Sequence, residues 1–259
     1  MSNNIFSGKR FGLLFKQHFI HNGQLLLLSG AAYVGVIFIL LSVVQVGNEL
    51  HPHHLSNFQG FLVAFVAVFG ILYVGHSFPA FRSKESTIHY LVLPASVLEK
   101  FVFEFVIRIA VILVTLPLLY WLTFHLQGYM FTMFTDETFE PISLRYVVKI
   151  DEEVPVIIYL LIASAVFFVL SLTFAGSAMF TRQPLVKTLF AVALVVMFFV
   201  GYSYIIIEHV GMGRYNPPEK MLLVPLEEEA AFTFVAIACL AGTGVMLFVA
   251  YRKLKEREV

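Results

Sequence analysis

Apolar residues gather in six long blocks, at roughly 24–46, 58–80, 102–126, 154–178, 186–207 and 230–251. Wound as a helix at about 1.5 Å per residue, each block is long enough to cross a hydrocarbon core of about 30 Å. The pattern predicts an all-α membrane protein of six transmembrane helices, with residues 1–259 forming a single transmembrane domain. Lipid is then the reference solvent, and every backbone polar group inside it must find a partner within the protein.

Residues 3–22 read differently. Ile5, Phe6, Phe11, Leu13, Leu14, Phe15, Phe19 and Ile20 alternate with Lys9, Arg10, Lys16 and Gln17. This mixture predicts an interfacial helix with its apolar side toward the acyl chains, its character set by Phe11, Leu14, Phe15 and Lys16. A disordered lead-in is the alternative. The first apolar block is too long for the core of a signal peptide, so the first span is expected to remain in the mature chain.

The segments between the blocks are short. Residues 47–57 form one loop, and 127–153 form another in which 144–150 (LRYVVKI) reads as a short strand. Residues 179–186 make a tight turn. Residues 208–229 are interrupted by Pro217, Pro218 and Pro225, and their apolar piece Met221–Leu226 is too short to span but could dip into one leaflet under protein cover.

The segment 81–104 (FRSKESTIHYLVLPASVLEKFVFE) is the most structured of the loops. Ser83, Lys84, Glu85 and Ser86 suit a helix start, with hydroxyl and acidic groups in the first turn. Pro94 ends that helix, and Ser96 with Glu99 forms an S-x-x-E capping box for the next one. The expectation is a short helix over 83–93 carrying Thr87 and an exposed Ile88, Tyr90 and Leu91. Such a helix either plugs into a soluble partner or lies flat on the bilayer.

Charge supplies the orientation. The chain is 59% hydrophobic and only 13% charged, against an apolar share of about 45–50% for soluble domains. Thirteen of the 17 basic residues fall in the N-terminal segment, the 81–104 loop, the 179–186 turn and the C-terminal tail, or at their edges. The positive-inside rule places these segments, and both termini, in the cytoplasm. An even number of spans requires both termini on one side, which agrees with this placement.

Candidate chemistry is sparse. Gly8-Lys9 lacks the upstream glycine and following hydroxyl of a phosphate-cradling loop, so no nucleotide site is expected in this chain. Neither HExxH nor GxSxG occurs, and no catalytic residue is assigned. His51, His53 and His54 cluster around Pro52, but a solvated loop is the simpler reading and no metal site is expected. The single cysteine, Cys239, cannot form a disulfide within one chain. Small residues four apart, Ala31 and Gly35, Ser171 and Ala175, Ala238 and Gly242, favour close helix packing. Glu104 and Arg108 stand four apart at the edge of the third block, with the acid first, the favourable order for an ion pair. Deep charges are otherwise missing from the apolar blocks, which argues against an ion-coupled carrier.

The amphipathic lead-in, six spans and short helical loop together resemble the ABC-2-type transporter permease family. More narrowly, the run Tyr90, Leu91, Leu93, Pro94, Ala95, Ser96, Glu99 and Lys100 is similar to a segment of small bacterial permease-like proteins, and 174–190 is similar more weakly. The resemblance implies that the 83–93 helix is a coupling helix contacting a cytosolic P-loop ATPase, and that 3–22 flanks it. It implies an assembly with a second copy or a related permease in the bacterial inner membrane. ATP and Mg²⁺ would belong to the partner, with no cofactor in this chain and no nucleic acid involved. Two other readings stay open: a non-transporting scaffold or regulatory subunit of an envelope complex, and an intramembrane lipid-modifying enzyme.

Overall fold

A computed structural model of the chain describes residues 6–47, 55–82, 84–134, 141–144, 155–209 and 228–258. The histidine cluster at 51–54, most of the expected strand at 144–150, the apolar piece at 221–226 and Ser83 lie outside the described residues. Within them the protein is all-helical, with no strand. Seven helices are used below: α1 Gly8–Gly47, α2 Leu55–Val74, α3 Lys84–Val92, α4 Val97–Thr132, α5 Val156–Met179, α6 Pro184–His209 and α7 Glu228–Glu258. Five of them contain stretches long and apolar enough to cross a membrane: Gly8–Val44, Val97–Thr132, Val156–Met179, Pro184–Tyr202 and Glu229–Arg257. The described apolar stretch of α2, Phe58–Val74, is shorter.

Three elements depart from the sequence expectation. The lead-in and the first span are one unbroken helix of 40 residues, about 60 Å long at 1.5 Å per residue. No proline interrupts it, and a helix tolerates its few glycines at modest cost. The second apolar block does not stay helical to residue 80. Gly75 follows Val74 as a helix stop, and the Ser77 hydroxyl donates to the Val74 carbonyl at 2.6 Å. Pro79 then disfavours helical backbone at Phe78, which takes φ 52°. The third span starts at Val97, set by the capping box at Ser96 and Glu99 that the sequence predicts. It runs through Pro117 to Thr132 but widens into one π turn at Val106–Ala110.

The chain forms two compact units. The first holds α1, α2 up to Tyr73, and α4. Its interior is aromatic and uses polar edges to serve backbone. The Tyr33 hydroxyl donates to the Leu116 carbonyl at 3.1 Å, and the Tyr120 hydroxyl to the Phe58 carbonyl at 3.3 Å. The Tyr33 ring meets Phe69 edge-on at 4.8 Å, and Phe58 meets Phe124 at 4.9 Å. The indole N–H of Trp121 donates to the Ile142 carbonyl at 2.9 Å, tying the 141–144 piece to α4.

The second unit holds residues 74–91 with α5, α6 and α7. Beside buried Phe78, Leu170, Phe174 and Leu254, its core holds many small residues, as expected where helices pack without help from water. Ser171, Ala175 and Ala178 of α5 are buried, as are Ala236 and Ala250 of α7. A methyl added at Gly242 would come within 2.6 Å of Phe168 Cε2, so α5 and α7 approach as closely as a glycine permits. Gly176 faces Thr188 of α6 in the same way. Of the expected small pairs, Ser171 and Ala175 lie in this core and Gly242 packs in it, while Ala31, Gly35 and Ala238 are exposed within the chain. Beyond its first turns α6 exposes Phe190, Leu194, Val195, Met197 and Phe198 around its circumference. So much apolar surface is tolerable in lipid and not in water.

Candidate functional site

Two groups of residues carry the features that the sequence singles out, one in each unit. In the second unit the chain leaves α2 through Ser77 and Phe78. The Ser177 hydroxyl of α5 donates to the Ser77 carbonyl at 2.5 Å, and the Phe78 ring lies 5.0 Å from Phe174. Burial of that ring fixes the left-handed backbone at Phe78, which costs a bulky residue about 1–3 kcal/mol. A short 3-10 turn, Pro79–Arg82, then leads into α3.

α3 is held along one face. The Thr87 hydroxyl donates to the Ala80 carbonyl at 2.9 Å, and Tyr90 stands edge-on to Phe81 at 5.3 Å. Its other face is open: Ile88 is 61% exposed, Val92 is 76% exposed, and Glu85 is exposed as well. Spacings of three and four residues put Glu85, Ile88 and Val92 in one stripe. Tyr90 is expected to be exposed but is half-buried, because its ring completes the contact with Phe81. Val92, not singled out by the sequence reading, takes a place in the stripe. Lys84, Ser86 and Leu91 occupy helical positions in α3.

The first unit contains the expected lead-in residues. Phe11 and Phe15 are half-buried and Leu14 is buried, all against Phe103 and Ile107 of α4. The Phe15 and Phe103 rings meet edge-on at 5.1 Å, and His18 lies 5.5 Å from Phe103. This corrects the expectation that these apolar residues face acyl chains: they face protein. A second apolar face carrying Leu13, Phe19 and Ile20 is exposed, as is Lys16. Two apolar faces on one helix account for a sequence pattern that has no single clear stripe.

Glu99 sits at the junction of α1 and α4 and is fully buried. It accepts the Ser96 N–H at 2.8 Å, closing the capping box, and the Ser7 N–H at 2.5 Å. It also pairs with Arg10 at 3.0 Å. Further along α4, Arg108 Nε donates to Glu104 Oε2 at 3.4 Å, with both side chains nearly buried. The expected ion pair is therefore formed. The Arg108 guanidinium also lies 4.7 Å over the Tyr73 ring, and Arg108 falls within the π turn. Such turns shift the facing of side chains and are often retained at functional positions.

Sequence reasoning treats Glu99 only as a helix cap and Arg10 and Arg257 only as orienting charges. Their partners are too distant in sequence for spacing to reveal. Among the described residues, no three His, Cys, Asp or Glu side chains gather into a metal-binding group. No family model, no curated protein and no solved structure matches this chain.

Proposed function

We propose that this chain is the membrane-spanning permease subunit of an ABC-type export system in the bacterial inner membrane. In this reading α2 crosses the bilayer with the five longer helices, and both termini lie in the cytoplasm. A separate P-loop ATPase docks on α3. A second copy or a related permease completes the path.

The observation that carries the reading is the construction of α3. It is a short helix fixed along one face and exposing a Glu85–Ile88–Val92 stripe on the other, in a loop whose basic residues mark it as cytoplasmic. The acid within the stripe favours a protein socket over the bilayer. A helix lying flat would press Glu85 toward hydrocarbon or anionic headgroups, both of which repel it. ATP binding and hydrolysis in the partner must favour one state of the membrane helices over the other by a few kcal/mol to shift their populations. α3 is the element through which that preference passes.

The test is affinity capture of the tagged chain in mild detergent, with identification of co-eluting proteins. A P-loop ATPase is expected with the parent chain. Fully burying an isoleucine side chain stabilises a complex by about 1.5–3 kcal/mol, and a buried unpaired charge opposes it further. Ile88→Asp should therefore reduce capture by at least about ten-fold, while membrane insertion is kept. Equal capture by the parent and Ile88→Asp removes the docking assignment, and no ATPase with a well-folded parent removes the permease reading.

A further inference from the structure

The last turn of the chain lies against the elbow from which α3 projects. Arg257 of α7 places its guanidinium 4.7 Å over the Phe81 ring. From the same group, Nη2 donates to the Met179 carbonyl at 3.2 Å. Met179 is the final residue of α5, so this bond supplies a cationic donor to a helix C-terminus, where carbonyls lack partners and the dipole favours positive charge. The same Phe81 ring also meets Tyr90 of α3, edge-on at 5.3 Å. One residue below, Ala80 accepts the Thr87 hydroxyl. Leu254, a turn before Arg257, is buried, so the helical tail is anchored and not merely extended.

We propose that Arg257 is a positioning residue: the C-terminal end of α7 acts as a latch that sets the pose of α3 through Phe81. α3 meets Phe81, the ring on which Arg257 rests, through Tyr90, on the face opposite its exposed stripe. A displacement of α3 is thus delivered to the ends of α5 and α7 together. The proposal rests on the reading of α3 as the ATPase-facing helix for its purpose, though its geometry stands without a partner. The chemistry explains why an arginine is used. Its planar guanidinium stacks on a ring and donates in-plane to a carbonyl at the same time, which an ammonium cannot do.

The test uses the full chain alone in lipid nanodiscs. A spin label is attached at Ile88→Cys in a Cys239→Ser background, with no ATPase present. Arg257→Ala and Phe81→Ala should each narrow the label's spectral lines, reporting a looser α3. The double variant should narrow them no further, because both changes break one contact chain. Lys253→Ala, which removes only an exposed pair with Glu256, should leave the spectrum unchanged. Arg257→Lys should fail to restore the parent spectrum. Should Phe81→Ala disturb folding, Arg257→Ala at the solvent-facing end of α7 decides the matter alone, with elution profile and helicity as the check. An unchanged spectrum in well-folded Arg257→Ala overturns the latch, as does full additivity of the two variants. Because no ATPase takes part, failed capture in the earlier experiment counts against the permease reading and leaves this result standing.

Discussion

Replacing Glu99 by alanine separates what spacing predicts from what the fold contains. If Glu99 were only the last member of a capping box, its loss would resemble the loss of Ser96, about 1 kcal/mol. The carboxylate instead also receives the Ser7 N–H and the Arg10 guanidinium, at a site fully closed to solvent. Hydrogen bonds to a charged group contribute about 1.5–3 kcal/mol each, and two backbone donors are involved. The Arg10 pair adds at most about 1 kcal/mol, since Arg10 is 37% exposed and partly screened. Glu99→Ala should therefore cost about 3–7 kcal/mol, and Ser96→Ala about 1 kcal/mol. Glu99→Gln keeps an oxygen for the box and loses the charge, so it should fall between them. The assay is unfolding of purified protein in mixed micelles with rising SDS fraction, read by helicity, with amide exchange of residues 6–12 as a local probe. Equal destabilisation by Glu99→Ala and Ser96→Ala would refute the three-way role assigned to this carboxylate.

Two further variants examine the interiors of the units. Arg108→Leu strands Glu104 as a buried charge and should destabilise by about 3–5 kcal/mol in the same unfolding assay, with part of the loss recovered when Glu104→Gln is added. A single variant no worse than the double would show that the pair is not coupled. Gly242→Ala drives a methyl into Phe168 and should cost about 1–3 kcal/mol, whereas Gly35→Ala meets no atom within 4 Å and should be neutral or slightly stabilising. Matching shifts from the two substitutions would contradict the close approach of α5 and α7.

The helical fold was legible where information is local. Apolar block length sets α5 and α6 almost to the residue, because Pro155, Gln183 and Pro184 punctuate their ends. Pro94, Ser96 and Glu99 place the stop of α3 and the start of α4 by the same logic. Failures came where continuity depends on cost and not on pattern. The lead-in over 3–22 and the block over 24–46 read as two elements, yet α1 runs through both, and Gly23 between them is one small penalty within a long helix. In the second block, apolarity continues past Val74 although Pro79 has already made helical backbone at Phe78 unfavourable.

The candidate site divides along the same line. Glu104 and Arg108 are four residues apart on one helix, so their pairing follows from helical geometry before any fold is known. Ser7 and Glu99 are 92 residues apart, Arg257 and Met179 are 78 apart, and Ser177 and Ser77 are 100 apart. No periodicity encodes such contacts, since they exist only after the helices have packed. They also decide which side of a short helix is left free. Ile88 and Tyr90, two residues apart, fall on opposite sides of a helix, so spacing says that one of them is covered but not which; Phe81, in contact with both Tyr90 and Arg257, makes it Tyr90. The local sequence thus makes α3 a helix, while distant residues determine which stripe it presents. A change at Arg257 should therefore alter the presentation of Ile88 without altering the helicity of residues 84–92, whereas a proline at Ile88 should destroy both.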